Sequence, residues 1–206
     1  IGTNRVLNMD VPTFALLGAG TWIMCRQVIF RISNQIAHHR FLINFPTVSP
    51  LMQGLTQGIL YLLIYTVSLV VLIAAGRSVD MTSLPDHPLM VGAYGIGMWF
   101  FAVSLGFIFG GIAIFWPYFL RFATVLERAI QLFSSVAFVS EQLPEEYRGW
   151  LTWSPTSHGL QLMRSFYFDS YPSVDASASY FWTAILFLTC GAFLFERLVR
   201  PYMQPI

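Results

Sequence analysis

Lysine is absent from the 206-residue chain; all eleven basic side chains are arginine. A P-loop needs a lysine on the nucleotide phosphates, so the chain carries no such motor of its own, and Schiff-base chemistry is excluded with it. Charge of either sign is scarce, at 10% of residues against roughly 25% in soluble domains. That excludes an ordinary cytosolic enzyme and a disordered tail. Net charge is +1, and no basic patch exists to follow a phosphate backbone, which excludes nucleic-acid binding. The two cysteines, Cys25 and Cys190, lie far apart in apolar runs. Without a CxxC or Cys/His ligand spacing, they read as packing or lipid-facing thiols. His38-His39 is no metal pair, since adjacent helical side chains diverge by about 100°. Ile1 rather than Met opens the chain, so the start has been removed or the chain is a fragment. No signal-peptide pattern is visible in the first ten residues.

What the chain does contain is apolar. Hydrophobic residues make up 56% and aromatics 17%, with 19 Phe, 9 Tyr and 6 Trp. A bilayer core of about 30 Å needs roughly 20 helical residues, so charge-free gaps locate spans. Such gaps hold 15 residues between Asp10 and Arg26, 36 between Arg40 and Arg77, 34 between Asp86 and Arg121 and 20 between Asp175 and Glu196. A fifth segment, Phe122 to Ser140, is interrupted by Glu127 and Arg128. The expected fold is an all-α integral membrane protein of one domain, with spans at about 11–30, 52–75, 91–115, 122–140 and 177–195. The positive-inside rule splits the arginines seven to four whether or not the fifth segment crosses. Both arrangements put Arg31 and Arg40 in the cytoplasm. Ionisable groups such as Glu127 and Arg128 should face protein or water.

Two polar segments stand out. Ser33 to Pro46 holds about three helical turns, with Ser33 or Asn34 as a cap and a stop at Phe45-Pro46. It reads as a cytoplasmic interfacial helix at about 34–44, either a partner's docking surface or a lipid anchor. Glu141 to Asp175 predicts two short amphipathic helices hinged at Pro155, about 144–153 and 157–168. Ser157 would cap the second, and Leu160, Met163 and Tyr167 would share one face. Each is too short to span, which makes a re-entrant hairpin or a surface loop. Ser157-His158 lacks a nucleophile elbow. Arg148 and Arg164 are open to acidic sugars or lipid phosphate, or to salt bridges with Glu145, Glu146 or Asp169.

Three blocks carry a resemblance. Leu143-Pro144-Glu145-Glu146-Tyr147-Arg148, Trp153-Ser154-Pro155, His158 to Arg164 and Tyr167-Phe168 with Tyr171 resemble the periplasmic signature of ABC-2 type permeases that export capsular polysaccharide. Leu42 to Leu51, with Phe45-Pro46, resembles the segment after that family's cytoplasmic coupling helix. Leu17-Gly18-Ala19-Gly20-Thr21-Trp22 resembles the start of its second span. The resemblance runs the length of the chain. Met52, Gln57, Ser154 and Gln161 depart from residues common in the family.

That resemblance implies a type V exporter transmembrane domain. Five of six spans would be visible, and an N-terminal helix and first span of roughly 50 residues would precede Ile1. It implies that 122–140 crosses, leaving the re-entrant hairpin periplasmic and the C-terminus cytoplasmic, in a multi-pass protein of the bacterial inner membrane. It implies no catalytic residue, metal or cofactor in this chain; ATP and Mg belong to a separate ATPase. The implied partners are a second copy, ABC ATPase subunits, a lipid-linked polysaccharide, and periplasmic and outer-membrane export proteins. The coupling role falls to Asn34, Ile36, His39, Arg40, Phe41, Phe45 and Pro46. The periplasmic gate falls to Pro144, Tyr147, Arg148, Trp153, Pro155, His158 and Arg164. Aromatic stacking on sugar faces suggests Trp99, Phe101 and Phe107 as glycan-path residues. An O-antigen exporter is the nearest alternative; a secondary transporter or an intramembrane enzyme is more distant.

Overall fold

The structure, a computed structural model, describes residues 5–6, 9–37, 50–79, 81–136, 149, 151–168, 171 and 176–203. A two-residue antiparallel pair, β1 (Arg5–Val6) and β2 (Met9–Asp10), precedes the helices. The helices are α1 (Val11–Ala37), α2 (Pro50–Arg77), α3 (Pro88–Phe115), α4 (Phe119–Leu132), α5 (Pro155–Ser165) and α6 (Ala178–Met203). Among the described residues, α1, α2, α3 and α6 are long and apolar enough to cross a membrane.

Helix α3 is the centre of the bundle and touches α1, α2, α4, α5 and α6. Pro88, at its start, needs no intrahelical donor; at its end Trp116 is extended ahead of Pro117. Small residues let the helices approach. A Cβ on Gly106 would lie 2.8 Å from Ile32, and one on Gly110 2.8 Å from Ile36. Each isoleucine of α1 therefore fills the gap left by a missing side chain, the packing that apolar solvent requires when no hydrophobic effect drives association. Hydrogen bonds add to it. Thr21 meets the Tyr65 hydroxyl at 2.7 Å, Trp99 Nε1 donates to the Gly58 carbonyl at 2.7 Å, and Ser104 Oγ donates to Thr189 at 3.0 Å.

Contact order along the helices gives their direction. Cys25 meets Met98, Ile32 meets Gly106 and Ile36 meets Gly110, so α1 and α3 run parallel. Phe181 meets Gly97 and Phe195 meets Gly111, so α6 runs with them. Glu127 lies against Trp22 and Val136 against Gly18, so α4 runs the opposite way. Arg197 and Arg200 consequently sit at the same end as Arg31. That end carries exposed Phe115, Trp116, Tyr118, Phe122 and Tyr202, an aromatic belt of the kind found at a membrane boundary. The other end carries α5.

The segment 122–140 overlaps α4, which starts three residues earlier at Phe119 and whose 14 residues span only about 21 Å. Residues 137–140 lie outside the described ones. The cap reading of Ser33 and Asn34 is corrected: α1 continues through them. Ser33 Oγ donates to Ile29 O and Asn34 Nδ2 to Phe30 O, bonds made from within a helix rather than from its start.

Phe181, fully buried on α6, is clamped between two glycines. A Cβ on Gly97 would lie 2.7 Å from its ring, and one on Gly159 would collide with it outright. Replacing Phe181 by Ala is expected to destabilise the fold by about 3–5 kcal/mol, read as a large drop in the thermal midpoint of the detergent-solubilised protein. A drop no larger than that from Phe187→Ala, an exposed neighbour, would refute the clamp.

Candidate functional site

Chemistry-bearing side chains gather in two places, both on α1. The first joins α5 to the bundle. Pro155, read from the sequence as an interruption, instead opens α5 at its first position, after Ser154. Ser157 is not a cap: its hydroxyl pairs with Ser135 Oγ at 2.8 Å and accepts from Gln161 at 2.9 Å. Thr156 through Arg164 are buried without exception. Leu160, Met163 and Tyr167 are buried as expected, but so is every other face, so α5 is embedded in protein rather than laid on a surface.

Arg164 is the centre of this cluster. It is 0% exposed. Its Nη1 donates to Ser135 O at 2.7 Å and its Nη2 to Val136 O at 2.6 Å. The guanidinium carbon lies 3.7 Å from the centre of the Phe14 ring, a desolvated cation–π contact. Ser135 has φ 53°, the left-handed region that costs a non-glycine residue about 1 kcal/mol or more. That turn aims two successive carbonyls at one guanidinium. Gly18 on α1 completes the seat, since a Cβ there would collide with both Nη2 and Val136 O. Burial lowers the Arg164 pKa, while the Tyr171 hydroxyl beside it acts the other way. Among the described residues no carboxylate pairs with it. The expectation that Arg164 meets acidic sugar or lipid phosphate is thereby corrected: its two Nη groups are bonded to main chain and its face is covered by Phe14.

His158 is equally committed. The Ser177 amide donates to Nδ1 at 3.0 Å. The ring proton therefore sits on Nε2, which lies 2.9 Å from Thr152 O. Neither nitrogen is left for a metal or a nucleophile. Trp153 is exposed and lines an open apolar pocket of ≈ 550 Å³ with Phe133, Gly149 and Ser154.

Just past the end of α5, Tyr167 donates to Ser83 O at 2.6 Å. Burial pushes its phenol from 10.0 up to about 12, with Asp10 and Asp86 adding to the rise. A raised phenol pKa means the folded state keeps a proton that the unfolded chain has lost. The stabilisation is therefore complete below pH 10.0 and falls away as pH climbs toward about 12. The Tyr167→Phe protein should lack this alkaline loss. Identical stability profiles from pH 9 to 12 in the two proteins would contradict it.

The second cluster ties α4 to the middle of α1. Glu127, 1% exposed, accepts from Trp22 Nε1 at 2.8 Å and lies 3.7 Å from Arg26 Nε. Glu127 was expected inside the protein and is there. Its neighbour Arg128 faces outward with Arg121, Thr124 and Gln131, all on one flank of α4.

Other expected site residues fall elsewhere. Asn34 is exposed on α1, but Ile36 is buried over Gly110, unavailable to a partner. His39, Arg40, Phe41, Phe45 and Pro46 lie outside the described residues, as do Pro144, Tyr147 and Arg148. Trp99, Phe101 and Phe107 are buried in the α3 core, with Trp99 bonded to α2 and Phe107 set against Gly54. They hold helices together rather than present faces to a sugar. Phe14, Gly18, Trp22 and Ser135 were not legible as site residues. The one available signal was the Glu127-Arg128 pair inside an apolar run.

No family model matches the chain. It is similar to two sequences of the polysialic acid transport protein KpsM of Escherichia coli. One is 22% and the other 21% identical, each over 182 residues that make up 84% of this chain and 67% of the relative. Taken with its four apolar helices, that similarity makes the chain a distant homologue of a polysaccharide transport protein and a multi-pass protein of the inner membrane, in accord with the ABC-2 permease resemblance of its motifs.

Proposed function

We propose that the chain is the membrane-spanning permease subunit of an ATP-driven exporter, and that it carries a lipid-linked polysaccharide, of the capsular kind, out across the bacterial inner membrane. The observation that carries this is the similarity to a polysialic acid transport protein along 84% of the chain. Two features support it. The lysine-free sequence leaves the nucleotide motor to another subunit. The polar flank of α4 and the exposed Arg26 of α1 are unsuited to lipid and suit a hydrated path or a second copy of the chain.

On this reading two permease chains and two ATPase chains form the exporter, and periplasmic and outer-membrane proteins receive the glycan. The helix direction supports placing 122–140 as a crossing segment, with the hairpin outside. The ATPase pushes on residues 34–44, and the movement passes along α1, which is continuous from Val11 to Ala37. Because α1 seats both Arg164 and Glu127, a tilt of α1 moves the hairpin and α4 together.

The test is purification of the full-length chain from its own host. An ABC ATPase should come with it, and nucleotide turnover by that complex should fall when Asn34 to Asn44 is replaced by a Gly/Ser linker. Glycan export from a strain lacking any ATPase partner would overturn the reading. Glu127 and Arg26 are ionisable and lie near mid-helix, the feature an ion-coupled carrier would use. Export driven by a proton gradient without nucleotide would favour that second reading.

A further inference from the structure

Helix α4 has an apolar flank as well as a polar one. Phe122, Val125 and Leu132 are exposed along it, and Phe133 caps its end. The flank starts beside Tyr118 of the aromatic belt and climbs about 21 Å to Phe133, still within a hydrocarbon core of about 30 Å. Exposed apolar side chains at that depth face the acyl chains of the bilayer.

At its top the flank opens into the pocket of ≈ 550 Å³ that Phe133, Gly149, Trp153 and Ser154 line among the described residues. Ligand sites of this apolar kind hold about 300–1,000 Å³. Water is a poor occupant, because it needs two or more polar partners and the Ser154 hydroxyl is already paired with Thr156 Oγ1 at 2.8 Å. The Trp153 carbonyl accepts from the Tyr180 hydroxyl at 2.8 Å, which ties the turn ahead of α5 to α6. The Trp153 ring is left outside that tie. The residue is 83% exposed, and its indole N–H has no hydrogen bond among the described residues.

The pocket therefore calls for an apolar tail joined to an acceptor that carries no donor of its own. A fatty acyl ester has that chemistry. An aliphatic side chain of another protein would fill the space and leave the N–H unpaired. We propose that the pocket seats one acyl chain of a bilayer phospholipid, in the leaflet remote from the aromatic belt, with an ester carbonyl accepting from Trp153 Nε1. Tryptophan is the residue that favours this level of a membrane. A resident phospholipid is favoured over the anchor of a transported glycan because the pocket continues the apolar flank of α4, not the polar one. The seated chain bridges the end of α4 and the turn before α5, and braces one on the other. The site needs only a bilayer, whatever the protein transports.

The test uses the full-length protein, delipidated in detergent and titrated with phosphatidylethanolamine brominated on one acyl chain, since bromine quenches tryptophan on contact. Fluorescence should fall to a saturable end point near one lipid per chain. Trp153→Phe should lose the saturable phase. A Cβ at Gly149 meets nothing within 4 Å, so Gly149→Phe can fill the pocket from within. It should abolish saturation too, and unlabelled lipid should raise the thermal midpoint of the wild type but not of this variant. A diether analogue, which lacks the carbonyls, should need about a fivefold higher concentration, the loss of one neutral hydrogen bond.

Quenching that rises without saturation, alike in the wild type and Gly149→Phe, would mean contact with bulk lipid only and would overturn the proposal. Displacement by the host's glycolipid at a lower concentration than unlabelled phospholipid would give the pocket to the cargo and overturn it equally. Disulfide capture of a second chain through Trp153→Cys, in a Cys190→Ser protein, would make the pocket a subunit contact with the same consequence.

Discussion

Replacing Gly18 by valine is expected to unseat Arg164 and release α5 from the bundle. A Cβ at position 18 collides with the Arg164 Nη2 and with the Val136 carbonyl together. Neither can give way cheaply. The carbonyl belongs to a turn whose φ of 53° at Ser135 is already strained. The guanidinium is held by two short hydrogen bonds and by Phe14. Overpacking a site so constrained should cost about 3 kcal/mol or more.

Removing the arginine should cost a comparable amount by another route. Arg164→Met strands two buried carbonyls, at about 1–3 kcal/mol each. Arg164→Lys should not rescue, since an ammonium cannot fork onto two carbonyls while stacking on a ring. The sharper measurement is a cycle of Gly18→Ala and Arg164→Met, scored by thermal unfolding in detergent. Because both changes act on one contact, the double variant should lose clearly less than the sum of the two. Strict additivity would mean that the contact does not exist in the protein. Ser135→Gly should be close to neutral, because relief of the left-handed φ offsets the loss of the buried hydrogen bond to Ser157.

Loss of the Glu127 carboxylate should produce the second large effect, at the other seat on α1. Glu127→Leu leaves the Trp22 N–H buried without an acceptor, where it lay 2.8 Å from a carboxylate. That should cost about 1–3 kcal/mol. The Arg26 contact adds little, because at 3.7 Å with Arg26 half-exposed solvent screens most of it. Glu127→Gln keeps an acceptor for the indole and should recover most of the stability. Trp22→Phe combined with Glu127→Leu should be milder than the sum of the two, since neither orphan remains. If Glu127→Gln proves as damaging as Glu127→Leu, charge rather than hydrogen bonding holds α4 on α1, and the account of this pair is wrong.

Long apolar helices were legible because a bilayer imposes a length and an absence of charge. The gap 11–25 lies inside α1, and α6 takes in all but the first two residues of the gap 176–195; charge alone marked Glu127 for the interior. What the seats are made of was not legible. Gly18 sits in an ordinary apolar run, and its value arises only where α4 and α5 converge on it. Arg164 was readable as an important cation, but its partners are main-chain carbonyls from a turn 28 residues away, and carbonyls carry no sequence signature. Trp99, Phe101 and Phe107 misled for the opposite reason. An aromatic run on a membrane helix has the same composition whether it lines a path or packs a core.

Composition by itself determined that this chain lives in a bilayer, because the solvation of apolar side chains is a local property. Only the tertiary structure decided which charges are spent inside and which face outward. Arg164 and Arg128 are the same residue type in similar surroundings along the chain. One is consumed by two carbonyls and a ring; the other stands exposed at the same depth as a buried glutamate. That difference is set by which helix each one meets, and packing between distant segments is what a linear sequence does not display.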